Sequence, residues 1–154
     1  NKCYYIHMNC IEVRGGKAYQ KEYVKSVVEF CIKMLMPRMK SLDIEVVLKD
    51  LKGDAYGYCL SETIREFEIE IDRKLPLRKM LTTVAHEMVH VKQYARRELH
   101  GAEGTDWMGK HYNTKKVSYW DHPWEIEAHG RETGLFVRWA EEHKLAHKKW
   151  TQDD

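Results

Sequence analysis

Between Leu42 and Asp72 the apolar residues fall at every second position, whereas on both sides of that stretch they fall at helical spacing. Ile44, Val46 and Leu48 fall on alternate positions, as do Tyr56, Tyr58 and Leu60, and then Phe67, Ile69 and Ile71. Successive strand side chains point to opposite faces, so a period of two predicts three strands. The third carries Glu66, Glu68, Glu70 and Asp72 on its other side, which predicts a sheet with one wet face and one face covered by helices. Breaks at Lys52-Gly53-Asp54 and around Ser61-Glu62 are short enough for antiparallel hairpins.

The helical stretches frame this sheet. Gly15 and Gly16 close a short extended opening segment, and from Tyr19 onward Val24, Val27, Val28, Cys31 and Leu35 recur at helical spacing until Pro37 argues for an end. A second helix begins at Pro76, with Leu81, Val84, Ala85, Met88 and Ala95 as its apolar stripe. Arg96 and Arg97 suit the negative end of that helix, and Gly101 is the expected stop. Residues 101–122 lack a period and read as a loop or irregular hairpin. A last helix is expected from Asp121-His122-Pro123 to about Ala146, lined by Trp124, Ala128, Leu135 and Trp139, with Gly130 and Gly134 allowing close packing or a bend. The stripe Trp107, Trp120, Trp124, Trp139 is read as core. The expectation is one α+β domain over residues 1–154, with a three- to four-stranded sheet packed on three helices.

Composition narrows the functional classes. A net charge of +2 provides no strong field for nucleic acid or membrane, and Lys144, Lys148 and Lys149 read as a solvated helix end. No apolar run approaches the roughly 20 residues that span a bilayer. No leader is legible, so the expected compartment is the cytoplasm, with the start at Asn1 leaving a trimmed leader open. Cys3, Cys10, Cys31 and Cys59 form no C-x-x-C pair and are read as free or buried thiols, with an approach of Cys3 to Cys10 in space as the alternative.

Chemistry concentrates in His86-Glu87-Met88-Val89-His90, in the middle of the second helix. Residues four apart project from one helical face about a turn apart, so two imidazoles can be aimed at one ion. Glu87 is rotated roughly 100° from His86, beside that ion instead of on it, where it can take a proton from water and pass it to a leaving amine. Zinc suits such donors, lowers the pKa of its water towards about 7 and polarises a carbonyl. With nine histidines present, a chance match is on the order of a few per cent, and the placement mid-helix after strands argues against chance.

A third donor must come from elsewhere, and the candidates are Glu125, Glu127, His129, His100 and His111. Positions 125 and 127 lie about 200° apart on a helix and cannot both face one metal. Glu127 is also four residues before Arg131, the spacing of an ordinary helix ion pair.

The helix resembles the active-site helix of the zincin metallopeptidases. More narrowly, His86-Glu87-Met88-Val89-His90-Val91-Lys92-Gln93 followed by Pro123-Trp124-Glu125-Ile126-Glu127-Ala128 resembles small metallopeptidase-like proteins, some of them phage-encoded. The resemblance spans about residues 40–140 in order of elements and implies a minimal zincin: a sheet with an edge strand, the HExxH helix, and a later helix bearing a glutamate ligand. In glutamate-type zincins that glutamate is commonly followed by a small residue at three and an aspartate at four. Glu125 with Ala128 fits this pattern, but His129 stands where the aspartate is expected. The resemblance therefore implies that His86, His90 and Glu125 bind Zn²⁺ with Glu87 as general base, leaving the role of His129 open. The metzincin pattern is excluded by Gln93 and Arg96, and the His-Gly element of SprT-like proteases, which act on DNA-associated protein, is matched weakly by His100-Gly101.

The functional expectation is a zinc-dependent peptidase acting on extended polypeptides, which would add to the edge of the strand Glu66–Asp72. An oxyanion donor is expected among His111, Tyr112, Tyr119 and His122. The rival readings are a metal-stabilised module that binds a partner through its tyrosine-rich loop without catalysis, and hydrolysis of a non-peptide amide such as a cell-wall cross-link.

Overall fold

The opening extended segment forms strand β1 (Cys10–Arg14), followed by helix α1 (Ala18–Leu35) and strands β2 (Asp43–Lys49), β3 (Gly57–Ser61) and β4 (Glu66–Asp72) in a computed structural model that describes residues 8–101 and 105–152. The sheet order is β1-β2-β4-β3. β1 and β2 are parallel, β2 and β4 are parallel, and only β3 and β4 form an antiparallel pair. The expected hairpin between β2 and β3 is therefore corrected.

Burial explains the order. Ile44, Val46 and Leu48 of β2 pair in register with Phe67, Ile69 and Ile71 of β4, and all six are buried beneath the helices. Two strands with continuous buried faces gain most from the centre of the sheet. β3 goes to the edge, and its predicted apolar side turns outward: Tyr58 and Leu60 are exposed, opposite Glu70 and Glu68. Gly57 and Cys59 face the helices instead, and a Cβ at Gly57 would lie 3.0 Å from Thr83 Cγ2. This close approach seats β3 directly against the second helix. It also places β4 inside the sheet, so the expectation that β4 offers an open edge to a peptide is overturned.

Helix α2 (Leu77–Ala95) starts after Pro76 as anticipated and is buried nearly all round, with Met80, Leu81, Val84, Ala85, Met88, Val89 and Val91 inaccessible to solvent. It lies between the sheet, α1 and helix α3 (Pro123–Glu142). The stop at its end is Arg97, not Gly101. Arg97 has φ 58°, its N–H donates to Tyr94 O at 3.0 Å, and the Glu98 N–H donates to Gln93 O at 2.8 Å. Both bonds satisfy terminal carbonyls in a left-handed cap usually given to glycine. The same device, with Lys144 at φ 59°, ends α3 short of the expected Ala146.

Strands β5 (Leu99–His100), β6 (Asp106–Trp107) and β7 (Lys110–His111) form a small antiparallel sheet, in keeping with an irregular hairpin. Trp124 and Trp139 are core residues as predicted, but Trp107 is only half-buried and Trp120 is exposed. Gly130 and Gly134 face open space, so neither permits a close helix contact. Cys31 and Cys59 are free thiols. Cys10 is disulfide-bonded, which corrects its reading as a free thiol; the reading of Cys3 lies outside the described residues. Among the described residues, no helix is long and apolar enough to cross a membrane.

Candidate metal centre

α2 and α3 pack along much of their length, and this brings Glu125, in the first turn of α3, against the middle of α2. One oxygen, Glu125 Oε1, lies 3.2 Å from His86 Nε2 and 3.2 Å from His90 Nε2. The two rings are edge to face, with centroids 4.9 Å apart. Bonds of about 2.1 Å in a tetrahedral arrangement set donor atoms about 3.4 Å apart. The two nitrogen–oxygen separations of 3.2 Å lie close to that spacing.

Each imidazole is held from behind. His90 Nδ1–H donates to Gln93 Oε1 at 2.8 Å, while Gln93 Nε2 donates to Trp124 O and to Glu127 Oε1, both at 2.9 Å. Because the amide nitrogen is committed to two acceptors, the amide oxygen must face His90, leaving the His90 Nε2 lone pair for the centre. On the other ring, His86 Nδ1 lies 3.7 Å from Glu132 Oε1, which accepts from His129 Nδ1 at 2.8 Å. Glu132 thus brings a carboxylate behind His86.

The other candidates are engaged elsewhere. Glu127 accepts from Lys92 at 2.6 Å and Arg131 at 3.0 Å, the ion pair anticipated from spacing. His100 is exposed and lies 3.9 Å from Asp106, and His111 pairs with the same carboxylate at 2.7 Å. His129 meets Glu132 and the Tyr119 hydroxyl. Its ring still lies 4.5 Å from that of His86, so His86, His129 and Glu132 form a second possible donor group beside His86, Glu87 and His90, each with its ligand atoms within 4.8 Å.

Among the expected oxyanion donors, the Tyr119 hydroxyl reaches the cluster, donating to Glu125 Oε1 at 3.0 Å. His122 Nε2–H donates to Val117 O, and Tyr112 packs edge-on against Trp124.

Electrostatics follow from this crowding. Burial works against charge on His86, but hydrogen bonds to Glu125 and Glu132 and the charge of Glu87 outweigh it and raise its pKa to about 9. Burial likewise disfavours the Glu125 carboxylate, yet the two imidazoles hold it well below the usual carboxylate range. Glu87 goes the other way. Burial, opposed by the histidines and supported by Glu125 and Glu132, raises its pKa above the usual carboxylate value. It faces a cleft of about 300 Å³ shared with Tyr58, Cys59, Tyr94 and Leu99.

Gln93, Glu132 and the half-buried wall of Cys59 and Tyr94 were not singled out by sequence reasoning. Gln93 alone had a signal, a polar residue three after His90 on a helix otherwise buried. No protein-family model matches the chain, and no curated protein matches it.

Proposed function

We propose that the protein is a zinc-dependent metallopeptidase in which His86, His90 and Glu125 hold the ion and Glu87 is the general base. The observation that carries this reading is the single carboxylate oxygen equidistant from two imidazole nitrogens one helical turn apart. Proximity admits Glu87 or the His129–Glu132 pair as further donors. Glu125 is preferred because it meets both Nε2 atoms, while Glu132 is already matched by His129.

Zinc bound there supplies a Lewis acid that polarises a carbonyl and acidifies water. The protein does the remaining work. Glu87, its proton affinity raised by burial, accepts the proton of the attacking water and delivers it to the departing amine nitrogen. Tyr119, kept protonated by burial and by the charge of Glu125, offers an O–H to the carbonyl oxygen as negative charge develops. Gln93 and Glu132 keep the two rings oriented. An extended polypeptide would lie along the edge strand β3, which borders the cleft.

The test is metal analysis and turnover on a mixed protein and peptide substrate pool, comparing wild type with Glu87→Gln. The peptidase reading expects about one zinc per chain in both and a loss of turnover on the order of 10³-fold or more in the variant. Zinc without turnover in the wild type would leave a metal-stabilised binding module. Turnover confined to cell-wall amides would move the substrate class.

A further inference from the structure

The cleft at Glu87 does not end there. Cys59, Tyr94 and Leu99 also line a larger cavity of about 740 Å³ that runs between β3, the β3–β4 turn and the end of α2. The cavity is walled by Leu60, Ile64, Tyr94 and Leu99, and Leu60 and Ile64 leave 48% and 39% of their surface exposed. A ligand seated in the cavity would cover this apolar surface.

Charge changes along the path. The metal end holds Glu87 and Glu125, whereas the described lining of the larger cavity contains no carboxylate and one permanent cation, Arg97. The left-handed cap places Arg97 just beyond the end of α2. At 1.5 Å per residue, Tyr94 lies about 10 Å along the helix from Glu87 and Arg97 about 15 Å. An extended peptide advances about 3.3 Å per residue, so these positions lie about three and about four to five residues from the reacting bond.

We infer that this cavity is a specificity site for a peptide segment with large apolar side chains within about three residues of the cleaved bond and an acidic group about two residues further out, met by Arg97. The inference rests on the peptidase reading for its register, but the binding it describes does not require turnover. Arg97 also completes the cap of α2, where a cation suits the helix dipole. A capping role alone would not discriminate among peptides.

The experiment measures binding of fluorescent ten-residue peptides to zinc-loaded Glu87→Gln protein, and cleavage of the same peptides by wild type. The panel varies apolar and charged positions independently. The expected result is at least about tenfold tighter binding of apolar–acidic peptides than of apolar–basic or polar–acidic ones. Arg97→Glu should shift the preference to basic peptides. Arg97→Gly, which suits the left-handed backbone, should abolish the charge preference, and Leu60→Asp at the exposed wall should abolish the apolar one. Equal affinity across the panel, no binding, or a charge preference unchanged in Arg97→Glu overturns the inference. Selective binding with no cleavage keeps the site and removes the peptidase reading; cleavage with a flat preference does the reverse.

Discussion

Gln93 accepts a hydrogen bond from His90 Nδ1 at 2.8 Å and is itself fully buried, with its amide nitrogen donating to α3 at two points. One side chain therefore ties the tautomer of a candidate ligand to the docking of α3, the helix that brings Glu125. Replacing Gln93 by Ala should weaken zinc binding about 10- to 100-fold. It should also lower stability by about 1–3 kcal/mol, because Trp124 O and the His90 N–H lose a buried partner. Competition with a calibrated chelator and urea unfolding would measure both. Unchanged zinc affinity would mean that His90 is oriented by packing alone.

The donor set itself is separable by mutation. Glu125→Ala should abolish stoichiometric zinc. Glu127→Ala should retain it while destabilising the fold, since Lys92 would be left with Glu98 as its remaining acidic partner. Glu132→Gln should retain zinc with affinity reduced up to about 100-fold. Zinc retained in Glu125→Ala and lost in Glu132→Gln would transfer the site to the His86, His129 and Glu132 group.

Protons and zinc compete for His86. Its pKa is raised from 6.5 to about 9 in the folded protein without metal, so its contribution to the stability of chelator-treated protein is fully present below pH 6.5 and is lost as pH rises through 9. Over the same window zinc must displace a proton, and affinity should climb with pH. Calorimetric titrations in buffers of different ionisation enthalpy at pH 7 would register the released proton. An affinity flat from pH 6.5 to 9 would show that His86 is already neutral without metal.

The caps of α2 and α3 give a prediction independent of metal. Lys144 occupies a left-handed position at φ 59° that costs a non-glycine residue about 1 kcal/mol. Lys144→Gly should raise stability by up to about 1 kcal/mol, less the few tenths contributed by a cation at a helix end. The urea midpoint should rise without a change in slope. A drop would indicate that the Lys144 side chain makes a contact of its own.

Residue spacing alone specified whatever depends on neighbours within a turn or two. The positions of α1 and α2, the strand character of β2 and β4, the common face of His86 and His90, and the ion pair between Glu127 and Arg131 all follow from helical or two-residue periods. Competition between distant segments could not be read that way. β4 rather than β3 became the partner of β2 because their buried faces match in register, and this made β3 the edge. Likewise, the convergence of Glu125, Gln93 and Glu132 on two histidines of another helix depends on how α3 lies against α2, a burial decision made by the assembled core and carried by no single stretch of chain.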